Sequence, residues 1–105
     1  TGYDWAAQAF AGLMHMTGDP DGPPMPMGFA VADVGTGVHA FSAIGYALFH
    51  RGRTGEGQWL DLSMVDCMFH LQDLALQGHS LTRGEWQPTR MGNHHSKICP
   101  FGVFK

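Results

Sequence analysis

The sequence predicts a helix-rich fold of about three helices and two short strands, and three observations carry that prediction. Apolar residues recur at close to a 3.6-residue period over residues 3–17, 34–51 and 64–77. The segments between these runs hold glycine and proline, which interrupt helices. Two short stretches, 58–63 and 100–104, have strand-like composition instead.

The first predicted helix runs from Tyr3 to Thr17, with Trp5, Ala6, Ala9, Phe10, Leu13 and Met14 on overlapping faces and Gly18 as its stop. The prolines of Asp19-Pro20-Asp21-Gly22-Pro23-Pro24-Met25-Pro26 then deny backbone donors and hold an extended path to Phe29-Ala30-Val31-Ala32.

A second helix follows Asp33, with Val34, Val38, Phe41, Ile44, Leu48 and Phe49 in helical register. Asp33 has two readings. As an N-cap, its carboxylate would accept from the unpaired N–H groups of the first turn, where the helix dipole favours negative charge. Gly35 and Gly37 speak for something more, because each costs roughly 0.5–1 kcal/mol inside a helix and a cap does not need them. Glycine at a helix start suits a ligand or another backbone that must come close.

The helix is expected to end at His50-Arg51-Gly52-Arg53, with Gly52 left-handed and the cations on the C-terminal dipole. Gln58-Trp59-Leu60-Asp61-Leu62-Ser63 alternates polar and apolar residues as a short strand does. Ser63-Met64-Val65-Asp66 resembles a capping box opening a third helix to about Gln77. Met64, Val65, Met68, Phe69, Leu71, Leu74 and Leu76 make that helix apolar over most of its circumference, so burial on all sides is expected. Residues 78–93 are polar and aperiodic, a connecting segment. The last residues become strand-like after Pro100 and carry no terminating signal, and Thr1 is no initiator methionine; both suggest a piece of a longer chain.

Bulk composition bounds the function. At 105 residues there is one domain at most. Charged residues are only 14%, well below the usual quarter, so much of the surface is expected to be covered by more polypeptide or a second subunit. Six Lys and Arg among nine Asp and Glu form no basic stripe, which argues against nucleic acid as a partner. No apolar run approaches the roughly 18 residues of a membrane span, and no secretory signal is visible, so no membrane partner and a cytoplasmic location are expected. Cys67 and Cys99 are expected to be free thiols. Seven histidines raise a metal site, with Cys67 and His70 one turn apart and His94, His95 and Cys99 close together. No paired CxxC or HExxH spacing supports one, and no metal is expected.

Four stretches together point to a family: Tyr3-Asp4 opening a helix, Gly22-Pro23-Pro24, the run from Ala32 to Gly37, and Arg53-Thr54-Gly55-Glu56-Gly57-Gln58-Trp59-Leu60-Asp61 leading to Ser63-Met64-Val65-Asp66. Arg90-Met91-Gly92-Asn93 followed by Pro100-Phe101-Gly102-Val103-Phe104 adds a weaker fifth. In order and spacing the chain resembles the class III, or CaiB/BaiF-type, CoA-transferases, over essentially all of its length.

The resemblance implies an α/β family fold, a Rossmann-like domain plus a smaller one, with two subunits threaded as linked rings and hence a homodimer. The chain resembles an internal portion: residues 1–78 the helical part around the catalytic aspartate, and 79–105 a linker and first strand toward the small domain. By resemblance Asp33 is the nucleophile of an acyl-CoA:carboxylate CoA-transfer that passes through an aspartyl anhydride and an aspartyl-CoA thioester. The substrates are then an acyl-CoA and a carboxylic acid acceptor, with no metal. Tyr3 and Asp4 lie near the CoA thioester, and Gly35 with Gly37 leaves the approach open so that helix-start N–H groups stabilise the oxyanion. Tyr3 and Asp4 also have a plain reading, as a core residue and a first-turn acid.

The C-terminal stretch, Gly92, Asn93, His94 and His95, either meets the substrate or is ordinary loop. Related 2-methylacyl-CoA racemases carry a histidine where this chain has Tyr3, which disfavours the racemase reading. Formyl-CoA transferases have a glycine-rich flap where this chain has His94-His95-Ser96-Lys97-Ile98, which speaks against oxalate and formate chemistry. The remaining alternative is a catalytically inactive, helical, oligomerising remnant.

Overall fold

The computed structural model describes residues 2–104, and Thr1 and Lys105, at the two ends of the chain, lie outside it. Five helices follow in order: α1 (Asp4–Phe10), α2 (Leu13–Met16), α3 (Val31–Thr54), α4 (Met64–His70) and α5 (Asp73–Leu81). Three helical stretches are therefore right in place, but two of them are broken.

The first break falls at Gly12, which adopts a left-handed φ of 82° that a side chain would resist, so α1 stops and α2 restarts at a new angle. The second falls at Leu71–Gln72, where Gln72 leaves the helical region with φ −104° and ψ 32°. The two breaks are stitched to each other. The Gln72 amide donates to the Ala11 carbonyl at 2.8 Å and to the Met68 carbonyl at 3.2 Å, satisfying acceptors beside both interruptions.

α3 begins three residues earlier than expected and runs 24 residues to Thr54. Its terminator is Gly55, at φ 79° with its N–H on the Arg51 carbonyl, whereas Gly52 stays helical. Ser63 does cap α4, its hydroxyl accepting from the Asp66 N–H at 3.3 Å.

Both expected strands are corrected. Among the described residues, 58–63 is extended but pairs with nothing, because an alternating pattern makes a strand only where a neighbour completes the ladder. The C-terminal stretch finds only one bridge, His94 opposite Gly102, flanked by His95 N–H to the Phe101 carbonyl and Val103 N–H to the Asn93 carbonyl, each 2.9 Å.

The core is small. Ala7, Ala11, Ala32, Cys67 and Met68 are buried where α1, α3 and α4 meet. The expectation of a third helix buried on all sides does not hold among the described residues: Phe69, Leu71, Leu74 and Leu76 remain exposed, because α4 and α5 meet the rest of the chain along one side only. The radius of gyration is 17.2 Å, against about 13 Å for a compact domain of this length. Cys67 and Cys99 are both free thiols. Among the described residues, no helix is long and apolar enough to cross a membrane.

Candidate active site

The site is built from two elements meeting at one corner. Asp4 is the first residue of α1, and its carboxylate is buried, with only 7% of the residue exposed. It faces the start of α3: Oδ1 accepts from the Ala32 N–H at 2.6 Å and from the Asp33 N–H at 3.3 Å. Those are the second and third residues of the helix, the donors that an N-cap side chain ordinarily takes. The residue actually at the N-cap is Ala30, whose methyl group cannot accept a hydrogen bond. Asp4 thus caps α3 from 28 residues away in sequence.

Gln8, one turn along α1, completes the arrangement. It is fully buried; its amide Nε2 donates to Asp4 Oδ2 at 2.6 Å, and its Oε1 accepts from the Met27 N–H at 2.9 Å. One glutamine therefore ties the proline-rich loop to the carboxylate that caps α3.

This geometry bears on the capping reading of Asp33. Asp33 lies inside the first turn rather than at the cap, and it is exposed. Its own carboxylate is not needed to cap the helix. The same bonds bear on the helix-start N–H groups expected to stabilise an oxyanion. Val31 N–H is on the Phe29 carbonyl at 2.8 Å, Ala32 and Asp33 N–H on Asp4, and Val34 N–H on the Ala30 carbonyl at 2.9 Å. Among the described residues, the N–H groups of 31 to 34 are thus all taken.

Tyr3, at the N-cap of α1, is 90% exposed, so it is not a core residue among the described contacts. Gly35 serves packing: a Cβ there would stand 2.9 Å from Met68 Cε and 3.6 Å from Leu71 Cδ1, so its bare backbone lets α4 approach. A Cβ at Gly37 would meet nothing within 4 Å, so that face is open.

The second group of candidate residues sits elsewhere. Gly92 takes φ 57° and donates its N–H to the Gly18 carbonyl at 3.0 Å, docking the C-terminal segment on the loop after α2. His94 bridges to Gly102, the Asn93 carbonyl accepts from the Val103 N–H, and His95 Nδ1 accepts from the Lys97 and Ile98 N–H groups at 3.1 and 3.0 Å while its ring packs edge-on against Phe101. His94 and His95 line a groove with Leu13, Leu71, Gln72 and Trp86, and Asp33 is not part of it. Among the described residues no three His, Cys, Asp or Glu side chains gather as a metal-ligand set.

The model of CoA-transferase family III matches residues 1–105. The chain belongs to that family. Within the family it is 43% identical over 102 residues to a succinate–glutarate CoA-transferase of Agrobacterium fabrum, covering 97% of this chain and 25% of the relative. An acetyl-CoA:oxalate CoA-transferase of Acetobacter aceti is 41% identical over 104 residues, 98% of this chain and 26% of the relative. A crystal structure of a CaiB/BaiF family protein from Brucella suis superposes with a TM-score of 0.89 at 37% identity, covering all of this chain and 27% of that one. The chain thus spans about a quarter of the family members it matches.

Sequence reasoning missed Gln8. The signal was present: an Asp and a Gln at i and i+4 on one helix are neighbours and bond each other.

Proposed function

We propose that this chain is the nucleophile-bearing part of an acyl-CoA:carboxylate CoA-transferase. The observation that carries the reading is Asp33, an exposed carboxylate inside the first turn of α3, freed from capping by a second carboxylate. An Asp33 oxygen attacks the thioester carbonyl of the acyl-CoA, and the CoA thiolate leaves, giving a mixed anhydride. The thiolate then attacks the aspartyl carbonyl, expelling the donor acid and leaving an aspartyl-CoA thioester. An acceptor carboxylate attacks that thioester and expels the CoA thiolate, giving a second mixed anhydride; the thiolate then attacks the acceptor's carbonyl, forming the acceptor's CoA thioester and releasing the Asp33 carboxylate. A carboxylate is a weak nucleophile that becomes effective when positioned against the acyl carbon.

The substrates are an acyl-CoA and a dicarboxylic acid, supported by the succinate and glutarate in a relative's name. Tyr3 borders the thioester, and Tyr rather than His at that position supports transfer over racemisation. The exposed apolar faces, together with coverage of a quarter of the relatives' length, support a chain that works inside a longer, homodimeric polypeptide.

Trapping tests the mechanism. The full-length protein incubated with succinyl-CoA and hydroxylamine is expected to carry a hydroxamate on the peptide containing Asp33, and Asp33→Asn to carry none. Full turnover in Asp33→Asn, or a hydroxamate elsewhere, ends the assignment.

A further inference from the structure

We infer that Asp4 and Gln8 form a positioning pair that holds Asp33 in its reactive place through the backbone of α3 and the loop that leads into it. The inference rests on the reading of Asp33 as the nucleophile. Asp4 does not touch the reacting atoms; its side chain is turned into the core, with one oxygen on the Asp33 and Ala32 N–H groups and the other on Gln8. Gln8 also holds the Met27 N–H, four residues before α3 begins. The pair therefore fixes both the first turn of α3 and the entry of the chain into it.

The alternative is that the pair merely stabilises the fold. The two differ because the Asp33 N–H bonded to Asp4 belongs to the same residue whose carboxylate attacks. A displacement of about 1 Å at that backbone costs up to about 100-fold in rate while leaving distant substrate contacts intact.

The chemistry of the four hydrogen bonds gives a test by reversal. In Asp4→Asn the introduced amide N–H₂ faces the Gln8 amide N–H₂, and flipping Gln8 moves the conflict onto the Met27 N–H. In Gln8→Glu two carboxylates face each other. In the double variant Asp4→Asn/Gln8→Glu the introduced amide donates to the introduced carboxylate, whose second oxygen accepts from the Met27 N–H. The carbonyl of the introduced amide meanwhile accepts from the Ala32 and Asp33 N–H groups. Every bond is restored, with donor and acceptor exchanged between the two side chains.

The experiment measures kcat and KM of the full-length protein with succinyl-CoA, alongside the rate of hydroxamate formation at Asp33. Each single variant is expected to lose about 10- to 100-fold in kcat per folded molecule, with KM for succinyl-CoA changed less than about 2-fold, and the double variant to recover to within about 3-fold. Gln8→Met, which removes both Gln8 hydrogen bonds but sets no like groups against each other and adds no charge, gives a milder loss and serves if the single variants do not fold. Unchanged kcat in any folded single variant, or in Gln8→Met, overturns the inference; so does a double variant that regains stability but not kcat. Loss of trapping at Asp33 in the unaltered protein would instead overturn the mechanism on which the inference rests.

Discussion

Two aspartates meet at the start of α3, and their burial separates their tasks. Asp4 is 7% exposed and holds two helix N–H groups, whereas Asp33 is exposed and holds neither. Asp33→Asn should therefore change stability little, since a first-turn acid contributes about 0.3–1 kcal/mol through the helix dipole. Asp4→Ala strips the cap and orphans the buried Gln8 amide, a cost of about 2–4 kcal/mol from the two losses together. Chemical denaturation of the full-length protein with each substitution checks the order; an Asp33→Asn that destabilises as much as Asp4→Ala would show that Asp33 does cap. Gly35 belongs to the same scale. Gly35→Val pushes methyl groups at Met68 and Leu71 and should cost about 1–3 kcal/mol in the same assay, although the glycine read from sequence as clearance for a ligand. The sequence marks Asp33 because glycines follow at 35 and 37; it does not reveal that the cap comes from Asp4, since a bond across 28 residues leaves no local pattern.

Helices were legible from their apolar period, and their interruptions were not. The run 3–17 keeps its period through Gly12, and the run 64–77 keeps its period through Gln72, so only the fold reveals that both stop and restart. What makes the breaks tolerable is Gln72, 9% exposed, donating to one carbonyl at each. Gln72→Leu would fill the space but leave the Ala11 and Met68 carbonyls without that donor, and the expected loss is about 1–3 kcal/mol. A Leu variant as stable as the parent in a denaturation curve would mean that water takes over both acceptors. The stretch 58–63 failed in the opposite way. Its alternation is real, but alternation encodes a half-buried face and not a partner strand, and here Trp59 remains 91% exposed.

At the scale of the molecule, the low charge content and the open apolar faces are one fact seen twice. α3 presents Val38, Phe41, Tyr46 and Phe49 to the outside, with Phe41 80% and Tyr46 78% exposed. An isolated apolar side chain on a surface is ordinary, but a contiguous row along one helix marks a surface that packs against more protein. Among the described residues the buried apolar ones are three alanines, a cysteine and a methionine, too slight a core to offset the entropy of ordering a chain this long. Expressed by itself, the 105-residue chain should therefore associate with copies of itself and bind a hydrophobic dye strongly. Light scattering after gel filtration and dye fluorescence would show it. Replacing Phe41 and Phe49 with glutamate should reduce both signals, because charge on that row opposes its burial against any apolar partner. In the full-length protein the same pair of substitutions should lower the yield of folded, assembled enzyme, since the row would then be charged where packing is needed. A monodisperse 105-residue monomer that leaves the dye dark would mean that α3 covers itself, and the requirement for a surrounding polypeptide would fall with it.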